Sequence, residues 1–206
     1  MKKIISIGLV GIMLAGLLTA CGTSLKADCD TVYVKKNGTV IGAAVEEFEK
    51  DYYDADELKT FIEDEVAQYQ KEHEKKSVKI HEFSVKDKTA KLFIKFKGYK
   101  DYQDFNNVTL FTGTVPQALA AGYDFATEFR KVKDTKLGDT VDNSKILSSD
   151  DKVVVLSEKI DVKVDGTIKY VSSANVKIKS KDLVSLQSQE TAETGNELSL
   201  VYVIYE

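Results

Sequence analysis

The sequence predicts an α+β fold: an antiparallel sheet with one main amphipathic helix, followed by an all-β C-terminal part. Three observations carry this. Two β-prone runs, "TVYVKK" and "TVIGAAVEEF", flank Asn37-Gly38, a hairpin signature of type I′ because both central residues of that turn need positive φ. One stretch, "DADELKTFIEDEVAQYQKEHEKK", repeats apolar residues at helical spacing. After Lys152 nearly every segment is β-patterned, up to the terminal "LSLVYVIYE".

Each element follows from local chemistry. The helix is expected over 54–73, with Asp54 and Glu57 forming a D-x-x-E start and Leu58, Phe61, Ile62, Glu65, Val66 and Tyr69 on one face. "SVKIHEFSV" and "TAKLFIKFK" alternate as a half-buried antiparallel pair with a turn at 86–88. Leu92, Ile94 and Phe96 share one side, and Lys91, Lys95 and Lys97 the other. "YKDYQDFNN" reads as a short helix, "VTLFTGTV" as a strand and "YDFATEFRKV" as a further strand. "TVPQALAAG" is a short helix capped by Thr114, with Gln117 three residues on, Pro116 in its first turn and Gly122 at its end. Asp165-Gly166 predicts a second hairpin of the Asn-Gly kind, and "TAETGN" a loop. The final strand is apolar on both sides and belongs in the middle of a sheet.

The N-terminus is organised differently. "MKK" precedes the apolar run "IISIGLVGIMLAGLLTA", which reads as an export signal. The run ends in Leu18-Thr19-Ala20-Cys21, which resembles the lipobox of bacterial lipoproteins. The resemblance implies a signal peptide over 1–20, diacylglyceryl transfer to Cys21, cleavage before it, and an anchor on the extracytoplasmic side of the cell membrane. Two acyl chains meet the requirement for stable anchoring, at roughly 0.8 kcal/mol per buried CH₂. The competing reading is an uncleaved membrane helix. The quoted hairpin, "DYYDADELKTFIEDEV" and "GTVPQALAAGYDF" also resemble small exported lipoproteins of Firmicutes that have no assigned activity, and imply no site residues. The chain divides into signal peptide 1–20, lipidated tether 21–30, an α+β part 31–132, an irregular connection 133–151 and a β-rich part 152–206 packed with 31–132 as one domain.

Composition narrows the function. The net charge of −4 becomes −6 without Lys2 and Lys3, leaving 27 basic against 33 acidic residues, which argues against nucleic acid as a partner. Arg130 is the lone arginine, so bidentate phosphate or carboxylate recognition is disfavoured. If Cys21 carries lipid, Cys29 is an odd cysteine: either a reactive or intermolecular thiol, or an unpaired tether residue. The lack of an adjacent histidine favours the latter.

No motif of chemistry appears. His73 and His81 sit among charged residues with no third ligand, so no metal site and no cofactor is expected. No nucleophile elbow, phosphate loop or dinucleotide fingerprint is present, and no catalytic residue is assigned. The acids of "EEFEKDYYDADE", from Glu46 to Glu57, could serve an envelope polysaccharide hydrolase, but a helix start explains them as well. Tyr99, Tyr102 and Phe105 recur every three residues, either as a ligand surface or as anchors of a short helix to the core. The reading is a membrane-anchored extracytoplasmic lipoprotein, a non-enzymatic binding or structural envelope module. Its partners are the lipid bilayer, through Cys21, and an envelope protein or polymer of unknown identity. A solute-binding subunit of a transporter is disfavoured because repeated βαβ units are missing.

Overall fold

The computed structural model describes residues 25–187 and 199–206; the expected signal peptide, Cys21 and the loop expected at "TAETGN" lie outside them. The described residues form two facing sheets with short helices, and the α+β class holds. β1 (Thr31–Val34) and β2 (Val40–Glu47) make the first hairpin. α1 (Ala55–Glu72) follows, then the hairpin of β3 (Val78–Lys86) and β4 (Thr89–Phe96). α2 (Tyr99–Asn106) leads to β5 (Leu110–Thr114) and α3 (Val115–Ala120). Next come β6 (Phe129–Lys133), β7 (Lys136–Val141), α4 (Asn143–Leu147) and β8 (Lys152–Leu156). The chain ends with β9 (Asp161–Val164), β10 (Ile168–Val171), β11 (Lys177–Ser180), β12 (Leu183–Ser185) and β13 (Val201–Tyr205).

The first sheet runs β11-β12-β9-β1-β2-β4-β3 and the second β5-β8-β13-β10-β6-β7. All pairs are antiparallel except β1 with β9. The main core lies between the sheets, where Val32, Val34 and Phe96 of the first meet Val154, Leu156 and Val203 of the second. α3 and α4 cover the other side of the second sheet through Val115, Ala118 and Ile146. β13 is buried along its whole length between β8 and β10, as its two apolar sides predict. α1 is capped by the Asp54 carboxylate, which accepts from the N–H groups of Asp56 and Glu57 at 2.8 and 3.0 Å. The α3 capping box between Thr114 and Gln117 is formed in full.

Four sequence expectations are corrected. The Asn37-Gly38 turn is not type I′. Gly38 alone has positive φ, 83°, and its N–H bonds Lys35 O, so residues 35–38 form an ordinary turn ending in a glycine bulge. Asn37 Oδ1 accepts from Thr39 N–H instead, a local bond that favours this geometry. Asp165-Gly166 makes no hairpin either: it carries the chain from β9 in the first sheet to β10 in the second. Gly166 is needed there for closeness, since a Cβ would lie 2.1 Å from Glu206 O. The 133–151 connection, expected to be irregular apart from a short strand near Val141 or Ile146, is more ordered than that. It contains β7 and α4, and β7 reads as polar because it is an edge strand paired only with β6. The strand expected in "YDFATEFRKV" is confined to its end, because Asp124 Oδ1 caps a turn at Ala126 N–H.

The parts 31–132 and 152–206 are interleaved, each contributing strands to both sheets. The segment 25–30, placed in the tether by the sequence, runs along the first sheet and ends at Asp30, whose side chain turns to the inner side. Leu25 and Ala27 pack on the outer side with Tyr33, Ile41, Ala43 and Phe93. Among the described residues no helix is long and apolar enough to cross a membrane.

Candidate functional site

A cavity of about 240 Å³ opens between the inner side of the first sheet, α2 and the loop from β8 to β9. Its walls are made by small and aromatic residues. Gly42 and Ala44 point inward from β2 and leave volume that larger strand residues would fill. A Cβ at Gly42 would lie 3.0 Å from the Tyr102 ring, so glycine here admits the tyrosine against the strand. Phe96 meets the rings of Tyr102 and Phe105 edge-on, with centroids 5.1 and 5.7 Å away.

Of the three candidate ligand-surface residues, two reach this cavity. Tyr102 is buried and Phe105 half-buried, and both line it. Tyr99 instead packs on Phe111 at 5.1 Å, on the side of the second sheet. Helix geometry explains the split. Each three-residue step falls about 60° short of a full turn, so Tyr99 and Phe105 point about 120° apart. The trio anchors α2 and also supplies one wall of a cavity.

The polar end is acidic. Tyr102 Oη donates to Glu158, 3.2 Å from Oε2. Burial pushes the Glu158 carboxyl up from its usual 4.5 to about 6; the Tyr102 hydrogen bond opposes this and the charge of Asp30 adds to it. Burial likewise pushes the Tyr102 phenol up. Asp30, at the end of the N-terminal segment, accepts from Val45 N–H at 2.9 Å and also lines the cavity. Among the described residues no lysine or arginine lines it. The arrangement offers an apolar, aromatic-walled seat with two carboxylates at one end, which suits a small ligand carrying positive charge. Glu158 had no sequence signal, because it ends the β-patterned run "KVVVLSE" with nothing to set it apart from a solvated acid.

The other candidates fall elsewhere. Glu46, Glu47, Glu49, Asp51, Asp54, Asp56 and Glu57 are all exposed, and none lines the cavity. His73 stacks on Tyr69 with ring centroids 3.8 Å apart, and His81 is exposed on β3. Among the described residues no cluster of three or more His, Cys, Asp or Glu could hold a metal ion.

Cys29 is a free thiol beside an ion pair whose acid is buried and whose lysine is exposed. Asp161, 3% exposed, binds Lys179 Nζ at 2.6 Å, and that ammonium lies 3.8 Å from Cys29 Sγ. Burial pushes the Cys29 thiol up, and the Asp161 carboxylate pushes it further by hydrogen bond and charge, while Lys179 opposes them. This favours the protonated, unreactive form. No protein-family model, curated protein or solved structure matches this chain.

Proposed function

We propose that this chain is a lipid-anchored extracytoplasmic binding module, held to the cell membrane through diacylglyceryl on Cys21, with its ligand seat in the cavity beneath α2. The lipobox supports the location. The binding role is carried by one observation: a cavity walled by Phe96, Tyr102 and Phe105 whose charged lining residues are Asp30 and Glu158. A half-buried carboxylate without a cationic partner is costly to the fold. A ligand with an ammonium group and a small apolar body would relieve that cost and meet the aromatic walls.

Titration with tetramethylammonium and short alkylamines, followed by calorimetry or NMR, tests this. Binding at neutral pH that weakens about tenfold in Glu158→Gln is expected, the scale of a lost bond to a charged group. Absence of binding, or equal binding by the variant, would count against the seat.

A second reading has one observation in its favour. A glutamate with raised affinity for its proton beside another carboxylate is the pairing glycoside cleavage uses. Release of sugars from peptidoglycan or a surface polysaccharide by the wild type, lost in Glu158→Gln while the fold is kept, would establish that hydrolase in place of the binding module.

A further inference from the structure

The outer side of the first sheet carries an array of lysines. Directly opposed residues on neighbouring strands project to the same side. Lys95 opposes Ile41 and Lys79 opposes Lys95, while Lys163 opposes Tyr33. Lys177 opposes Ser185, which opposes Asp161, which in turn opposes Thr31. Tyr33 and Ile41 belong to the outer cluster, so these lysines share its side. Most acids nearby are already engaged: Asp161 with Lys179, Asp182 with Lys163 and Glu74 with Lys97. Glu82, opposite Phe93, and Glu47, four residues along β2 from Ala43, are exposed acids on the same side. Among the described residues Lys79, Lys95 and Lys177 are exposed and form no ion pair. This concentration of positive charge runs against the acidic balance of the chain, −4 overall.

The same side is where the chain arrives from its N-terminus. Leu25 and Ala27 pack on it, and Lys91 Nζ donates to Ala27 O at 2.7 Å. Four peptide steps separate Cys21 from Leu25, a reach of at most about 14 Å. An anchor at Cys21 therefore keeps Leu25 within about 14 Å of the headgroups, close enough for this side to rest on them.

We propose that the outer side of the first sheet lies on the bilayer and that Lys79, Lys95 and Lys177 engage anionic phospholipid headgroups; this rests on anchoring through Cys21. The acyl chains hold the protein to the membrane, and the lysines fix its orientation, leaving α3 and α4 turned away from the surface.

The test reconstitutes the full chain into vesicles of phosphatidylcholine alone, or mixed with phosphatidylglycerol, and labels lysines with a membrane-impermeant acylating reagent. Peptide masses then report each position. Lys79, Lys95 and Lys177 should be protected about threefold in the phosphatidylglycerol vesicles, with the difference lost at high salt. Lys145, on α4, should label equally in both. Equal labelling of the three lysines in the two vesicles, or protection of Lys145 in their place, would overturn the proposal. So would protection by a soluble polyanion without protection by the vesicles, which would assign this side to a polymer. Intact mass reads the anchor separately. A chain held by its uncleaved apolar run leaves the bilayer at the same point, so the labelling reports the orientation whether or not Cys21 carries lipid.

Discussion

Glu158 is where physical cost and function meet in a single side chain. Its carboxyl is raised in the fold, so its contribution to stability is fully present below about 4.5 and is lost as pH rises through about 6. At pH 7 the folded protein carries the whole penalty of a desolvated charge. Glu158→Gln keeps an acceptor for Tyr102 and removes that charge. It should stabilise the protein at pH 7 by about 2 kcal/mol, and the gain should vanish below the ordinary glutamate range. Urea unfolding of both proteins at the two pH values measures this; a gain that is absent at pH 7, or that persists in acid, contradicts it. A stability gain joined to weaker ligand binding is the trade expected of a binding residue. Cys29 makes the opposite case, a thiol suppressed by its surroundings. Asp161→Asn removes the negative charge that raises it and leaves only a weaker acceptor, so iodoacetamide should alkylate Cys29 faster at neutral pH than in the wild type. An unchanged or slower rate would show that Asp161 does not control the thiol. Neither environment was legible in the sequence, because Glu158 and Asp161 owe their burial to loops and strands distant along the chain.

Elements were more legible than their connections. α1, the α3 capping box, the β3–β4 pair and the buried β13 follow from period and capping chemistry, which act over a few residues. Turns were not, since their type depends on how the flanking strands twist. The two Asn-Gly-like signals adopt other geometries, while consecutive positive φ values occur at Asp87-Lys88 (49° and 60°) and Asp134-Thr135 (48° and 61°). These join β3 to β4 and β6 to β7 with the two-residue geometry that strand twist favours. Thr135 is β-branched, and left-handed backbone costs such a residue about 1–2 kcal/mol. Thr135→Gly loses the bond from Thr135 Oγ1 to Asp134 O but removes that strain. The net effect should be a gain of about 1 kcal/mol, or about 2–4 °C in Tm for a domain of this size. A lower Tm by calorimetry would mean the turn is held by contacts beyond its own residues.

At the scale of the whole molecule, the fold class was legible and the weave was not. Strand patterning reports burial of a side, not which sheet a strand joins. The step at Gly166 between sheets therefore looked like a hairpin. The cavity is a product of that weave. Gly42 and Ala44 in "VIGAAV" lack side-chain bulk, a trace visible in sequence, but its acids come from residues 30 and 158, brought together when β1 pairs with β9. Leu25 and Ala27 meanwhile pack on the outer side of the first sheet, which ties the proposed anchor to the orientation of the body. The proposed location depends on Cys21. The direct measurement is the intact mass and N-terminal sequence of the protein extracted from membranes, compared with Cys21→Ser. The account predicts a mature chain beginning at Cys21 and carrying a diacylglyceryl group, with both cleavage and lipid mass abolished by the substitution. A wild-type chain with no lipid mass at Cys21, or one that begins elsewhere, would contradict it.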